Sequence, residues 1–389
     1  MEFEIPEELL QLQLLVRKFI QKELLPVEKQ VEEDGEFPEE VRLPLKKKAI
    51  DLGLYNFAMP SEYGGGGVGY LGWVLVNEEL GHVSTSVGAR GGIIGGPRTG
   101  TGFGGEFKYA TKGQLEKYFL PLLRGEKESF VALTEANAGS DLGNVETRAV
   151  KDGGAYVLNG TKLYVTAIDV AHFGIVLAVT DWQKRRRGGL TCFLVDSDAP
   201  GLKISRHLPM MGRRGLHSYE VALEDCVVPE ENILGEPGKG LEVAGAEING
   251  LRLAGSAASL GTAERALELA KAHAKERITF GGPLAKRQLI QEMIVRAEID
   301  IYASKMMLYN AAWEADQGKD ITLKTMMVKC FVTEMAIRAV DRVIQIHGGL
   351  GYSKELPLEM MYRDTRLRTL TEGGTEVLEW SIARKLLRD

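Results

Sequence analysis

The sequence predicts a three-part α+β protein: an N-terminal all-α domain (1–128), a middle antiparallel β-barrel or sandwich (129–235) and a C-terminal four-helix bundle (236–389). Two changes of period carry this. Near Phe130 a helical spacing of apolar residues gives way to short apolar or alternating runs, and after Asn232 the helical spacing returns and persists. A chain of 389 residues is also longer than one core usually supports.

From Pro6 to about Gln30, Leu10, Leu14, Phe19 and Ile20 recur among Glu, Lys and Gln, an amphipathic helix with Pro at its start. Helical patterns follow over Pro38 to Leu52 and Leu71 to Leu80. Strand-length runs then cover Phe130 to Leu133, Ala155 to Leu158, Lys162 to Thr166, Phe173 to Thr180, Leu190 to Val195, Leu202 to Ile204 and Val221 to Val228. Turn signals at Asp152-Gly153-Gly154 and Asn159-Gly160 separate them. The bundle helices are Ala257 to Lys275, Gln288 to Ala315 and Leu323 to Ile346. Their methionines, including Met306, Met326 and Met335, read as core filler or as a groove. Their length suits one face buried internally and another offered to a second subunit.

Composition narrows the function. The chain is 44% hydrophobic and 26% charged with a net charge of −6, and its charges are interleaved, so nothing directs it to nucleic acid. Lys184 to Arg187 reads as a solvated turn or an acid-binding patch. Cys192, Cys226 and Cys330 lack metal or disulfide spacing, and the six histidines show no metal pattern, so no metal is expected. The acidic start is unlike a signal peptide and no apolar run reaches spanning length, which fits a cytoplasmic protein. Gly64 to Gly69 and Gly100 to Gly105 match GxGxxG formally, but neither follows a strand in a βαβ unit, so both read as loops.

Two stretches carry chemistry. In Arg363 to Val377, Glu372 stands before Gly373-Gly374, where the backbone can bend and a ligand approach closely; it is a general base or simply an acid at a helix start. At the head of the β region, Ala132-Leu133-Thr134-Glu135-Ala136-Asn137-Ala138-Gly139-Ser140-Asp141 offers hydroxyls and backbone N–H groups that could grip a polar ring or a phosphate.

That decade resembles the TEPNAGSD signature of the acyl-CoA dehydrogenase flavoenzymes, with Ala136 where Pro is common. Asn159 to Thr166, Val228-Pro229 with Asn232 to Gly235, Arg277 to Gly281, Gln345 to Gly349, and Arg363-Asp364 leading to Glu372 are similar in the same order, across essentially the whole chain.

The resemblance implies FAD, held at Leu133, Thr134, Gly139, Ser140, Tyr164 and Thr166, with Gly374 and Glu376. It implies that Arg277, Thr279, Gln288, Gln345, Gly348 and Gly349 hold the pyrophosphate and adenosine across a subunit interface. Tyr164 stands where Trp is common. Glu372 matches the catalytic base; the alternative base position is Leu251, which cannot accept a proton. Ser140, Gly373, Asn249 and Arg252 fall at the substrate, Asn249 where Asp is frequent. The activity implied is α,β-dehydrogenation of an acyl-CoA, with electrons passed to an electron-transfer flavoprotein by a homotetramer or at least a dimer, in degradation of fatty or aromatic acids. An enoyl-CoA reductase, a decarboxylating dehydrogenase and a non-catalytic flavin scaffold are the alternatives.

Between Ser86 and Tyr109 the chain is longer than is usual for that resemblance and carries Arg90, Arg98 and Glu106. Either this is a surface insertion, or Arg90 or Arg98 pairs with a second carboxylate on a dicarboxylic acyl group. An aromatic acyl group is the other expectation.

Overall fold

The computed structural model describes residues 4–98 and 104–387. Helices α1 (Glu7–Phe19), α2 (Leu25–Asp34), α3 (Glu39–Asp51) and α4 (Gly69–Leu80), with the short turns α5 (Lys112–Gln114) and α6 (Leu120–Leu123), form the N-terminal part. The first helix expected from the periodicity is two helices. Pro26 has no N–H to donate to the preceding turn, and a π-turn at Ile20–Leu24 absorbs the mismatch.

An eight-stranded sheet follows: β1 (Ser129–Ala132), β2 (Arg148–Asp152), β3 (Ala155–Thr166), β4 (Phe173–Val179), β5 (Leu190–Asp196), β6 (Leu202–His207), β7 (Ser218–Pro229) and β8 (Ile233–Leu234). Its order is β6-β7-β3-β2-β4-β5-β8, with β1 also on β4. The fold class is the one expected, with two local differences. The pairs β1–β4 and β2–β4 are parallel, so the sheet is mixed rather than wholly antiparallel. Asn159-Gly160 is not a hairpin turn but lies inside β3, where the register against β7 slips. A side chain at Gly160 would meet Thr147 Oγ1 at 2.4 Å, so the glycine serves close packing, while Asn159 bonds reciprocally to Asp225.

The rest is helical: α7 (Gly240–Ala244), α8 (Ile248–Glu276), the two-stranded β9 (Ile278–Thr279) and β10 (Gly282–Pro283), α9 (Gln288–Asp316), α10 (Thr322–His347), α11 (Gly349–Tyr352), α12 (Leu358–Arg368) and α13 (Thr375–Leu386). Alanines of α8 and α10, among them Ala257, Ala263, Ala336 and Ala339, are fully buried and let these helices approach closely. Closer still is α4 to α8: a Cβ at Gly261 would lie 1.9 Å from the Glu78 carbonyl oxygen. This contact fixes the segment after α4 beside α8. Val87, Ile93 and Ile94 are buried there, so residues 83–98 are an inward-packed segment rather than a surface insertion. Gly64 to Val68 is a loop, and Gly69 opens α4. The second GxGxxG run begins in residues 99–103, outside the described residues.

Candidate active site

Glu372 sits in the turn between α12 and α13 with φ +52°, a left-handed conformation costing a non-glycine residue about 1 kcal/mol. Three contacts hold it there. Arg252 Nε on α8 donates to the Glu372 carbonyl at 3.1 Å, and Lys329 Nζ on α10 donates to the carbonyls of Thr369 (3.0 Å) and Gly373 (2.7 Å). The Thr375 N–H closes the turn onto Thr369 O at 3.1 Å. The helix-end carbonyls that solvent would otherwise satisfy are thus taken by buried cations. The Glu372 N–H itself finds no acceptor among the described residues.

The carboxylate points into a strongly cationic environment. Arg90 Nη2 lies 3.7 Å from Glu372 Oε1. A Cβ placed on Gly255 of α8 would meet Arg368 Nη1 at 3.4 Å and Glu372 Oε2 at 3.9 Å, so bare helix backbone faces both groups. Arg213, in the loop joining β6 to β7, has φ +59°, and its N–H donates to Asp364 Oδ1 at 2.6 Å. Burial pushes Arg90, Arg252 and Lys329 below their ordinary values, with Glu372 opposing in each case. Arg213 falls to about 9, chiefly from burial and then from Arg90 and Arg368.

Of the residues anticipated at the substrate, Arg90, Arg252 and Gly373 gather at Glu372. Asn249 is engaged instead with α10, through Thr322 (3.3 Å) and Thr325 (2.8 Å). Arg98 is a correction. It pairs with Glu39 at 2.5 Å within a buried network of Arg42, Lys46 and Glu128, so its guanidinium is committed to holding α3 and is not at the acyl end. Arg213, Arg368, Lys329 and Gly255 were not anticipated. A lysine between Val328 and Cys330 on an apolar helix was the one available signal.

The residues expected to hold FAD form two separate groups. Leu133, Thr134, Gly139 and Ser140 follow β1 and are tied to β3 by the Leu163 N–H on Thr134 O at 2.9 Å. Glu135 and Lys162 lock the two motifs together beneath, at 2.7 Å. Tyr164 (φ +58°) is 56% exposed, and the Thr166 hydroxyl lies 3.4 Å from that of Ser218. Gly139 is open, with nothing within 4 Å of an added Cβ, so the backbone there can be approached closely by a planar group.

The second group lies elsewhere. Arg277, Thr279 and Gln288 sit around the β9–β10 hairpin, and Gln345, Gly348 and Gly349 at the end of α10; stacked His273 and His347, 4.3 Å apart, link them. Gln345 is about 24 Å along α10 from Lys329, so one chain does not bring this group to its own Glu372.

The chain matches three family descriptions: acyl-CoA dehydrogenase N-terminal domain over residues 6–126, middle domain over 131–226 and C-terminal domain over 238–387. It is 36% identical over 388 residues to a probable acyl-CoA dehydrogenase of Bacillus subtilis, covering 100% of both chains. It is 35% identical over 379 residues to the caffeyl-CoA reductase–Etf complex subunit CarC of Acetobacterium woodii, covering 96% of this chain and 97% of that one. The structure of butyryl-CoA dehydrogenase from Megasphaera elsdenii superposes with a TM-score of 0.92 at 31% identity, covering 100% of both chains. The chain belongs to the acyl-CoA dehydrogenase family. It is a flavoenzyme of that family's oxidoreductase type, and the family's cofactor is FAD. Among the described residues no helix is long and apolar enough to cross a membrane.

Proposed function

We propose that the chain dehydrogenates an acyl-CoA thioester between its α and β carbons, with Glu372 taking the α proton. One observation carries this: a carboxylate fixed in a left-handed turn whose carbonyls are held from behind by Arg252 and Lys329, while its oxygens face bare helix at Gly255. FAD supplies the hydride acceptor for the β carbon. The free Glu372 N–H is placed to donate to the thioester oxygen as negative charge develops there. Arg252 is a positioning residue for the turn. Tyr164, Thr134 and Thr166 give the flavin ring its platform, and Ser140 and Glu376 flank it.

Glu372→Gln should retain bound FAD and slow flavin bleaching by an acyl-CoA ester at least about 10²-fold. Unchanged bleaching would overturn the assignment. The reverse direction, enoyl-CoA reduction, is the second reading, favoured by the likeness to a caffeyl-CoA reductase subunit. In that case Glu372 gives the proton back, and reduced protein would be reoxidised by enoyl esters while saturated esters bleach it poorly.

An electron-transfer flavoprotein is the proposed partner, supported by that same relative's complex. A homo-oligomer, tetrameric by preference, is supported by the roughly 24 Å along α10 between Gln345, in the second FAD-binding group, and Lys329, which holds the Glu372 turn. Three free cysteines suit a reducing cytoplasm.

A further inference from the structure

The loop joining β6 to β7 is wedged between the end of α2 and α12, the helix that leads to Glu372. A Cβ on Gly215 would lie 2.5 Å from Val31 of α2, and one on Gly212 would lie 2.7 Å from Asp364 Oδ1 of α12. Arg363 of α12 donates to the Met211 carbonyl at 3.2 Å and pairs with Glu32 of α2. His217 fastens the far end of this loop. Its Nε2 lies 3.2 Å from the carbonyl of Gly35, just past α2, and its Nδ1 lies 3.3 Å from the Tyr219 hydroxyl and 3.7 Å from Asp169 Oδ2.

These contacts dictate where the ring's hydrogens must be. The Gly35 carbonyl only accepts, so Nε2 needs a hydrogen. Tyr219 donates its one hydroxyl hydrogen to Asp169 at 2.9 Å; burial and then Asp169 push the phenol up, so it keeps that hydrogen and shows Nδ1 only a lone pair. Nδ1 therefore needs a hydrogen as well. A neutral imidazole has a single N–H and leaves one of the two contacts as lone pair against lone pair, whereas the imidazolium makes both. The surroundings favour the same form. Asp169 faces the ring from the turn after β3, Tyr219 from β7, and His207 from β6 with its ring 4.9 Å away. Glu36 follows Gly35 and acts on Tyr219, and Arg214 lies 3.6 Å from where a Gly35 Cβ would stand and 3.9 Å from Glu32. Acids outnumber the one arginine, which suits a cation between them.

We propose that His217 is a pH-operated latch: its imidazolium ties the β6–β7 loop to the chain just past α2, and loss of one ring proton releases that tie. Imidazoles change charge between about pH 5 and pH 8, so the latch is closed at the acid end of that range and open at the alkaline end. Because the same loop abuts α12, the latch couples solution pH to the packing of the helix that presents Glu372. It does not depend on the reading of Glu372 as the base.

The test is hydrogen exchange read by mass spectrometry on the full-length, FAD-loaded protein at about pH 5.5 and about pH 8, corrected for the intrinsic pH dependence of exchange. Peptides covering Gly35 and residues 208–217 should be about 3- to 10-fold better protected at the acid pH, the effect of a charge-assisted hydrogen bond that is partly open to solvent. His217→Gln, which can donate to Gly35 but carries no charge, should abolish the difference, and His207→Gln should keep it. Tyr219→Phe is the second variant: it removes the lone pair opposite Nδ1, so a neutral ring can hold Gly35 and the difference should shrink. An absent or reversed difference in the unmodified protein overturns the proposal. So does a difference that survives His217→Gln, is unchanged by Tyr219→Phe, or disappears with His207→Gln.

Discussion

Lys162 is fully buried, and its ammonium is satisfied by Glu135 Oε1 at 2.7 Å and the Leu133 carbonyl at 3.2 Å. Glu135 in turn accepts from the Glu146 and Thr147 N–H groups and the Thr147 hydroxyl. Burial alone would raise this carboxyl; Lys162 and these donors outweigh it and hold it below its ordinary value. Its contribution to stability is therefore present above the ordinary carboxyl value and lost as pH falls through the lower folded one. Lys162→Met leaves Glu135 buried without its cation and should cost about 3–5 kcal/mol, read as a lower midpoint in denaturant. Glu372, Gly373 and Arg252 were legible in the sequence because a local motif carries them. Arg213, Arg368 and Lys329 were not, since a cation in a sequence looks like a solvent-facing residue until tertiary packing encloses it.

Helix α4 carries an acid where three helices meet. Glu78 is buried, accepting from Tyr309 at 2.8 Å and Lys305 at 3.0 Å, with Glu264 sharing Lys305. Burial, then Glu264, pushes Glu78 up to about 7 against Lys305 and Tyr309. A carboxyl raised in the folded state stabilises fully below its ordinary value of 4.5, and that contribution is lost as pH rises through about 7. The unfolding temperature should accordingly fall across this window, and Glu78→Gln should flatten the fall; an unaltered pH profile in the variant would refute the account. At this scale the sequence revealed the type of nearly every long element. It hid the π-turn before Pro26, since apolar spacing continues across it, and the passage of β3 through Asn159-Gly160. There the dipeptide that favours a hairpin is used for close contact with Thr147.

Across the whole molecule, α9 presents an exposed apolar stripe. Val295 (53%), Ile299 (56%) and Tyr302 (67%) follow helical spacing on one side, with exposed Leu289 (71%) at the start of the helix and Phe280 (98%) in the hairpin before it. Such a face suits a second copy of the chain, as the length of the bundle helices suggested. Ile299→Asp with Tyr302→Asp should lower the oligomer order seen by light scattering while leaving the helix content by circular dichroism unchanged. An unaltered particle mass would place the interface on another face. Three-part architecture was legible because period changes are long-range signals, whereas the packing of residues 83–98 into the interior was not, because glycine-rich sequence reads as loop wherever it goes.

The distance along α10 between Lys329 and Gln345 has a practical outcome. If each dinucleotide is pinned at one end by one chain and at the other by its neighbour, dilution should strip colour and quaternary structure together, and added FAD should rescue both. Preparations kept at low concentration would then fade with a dependence on protein amount that no monomeric flavoprotein displays.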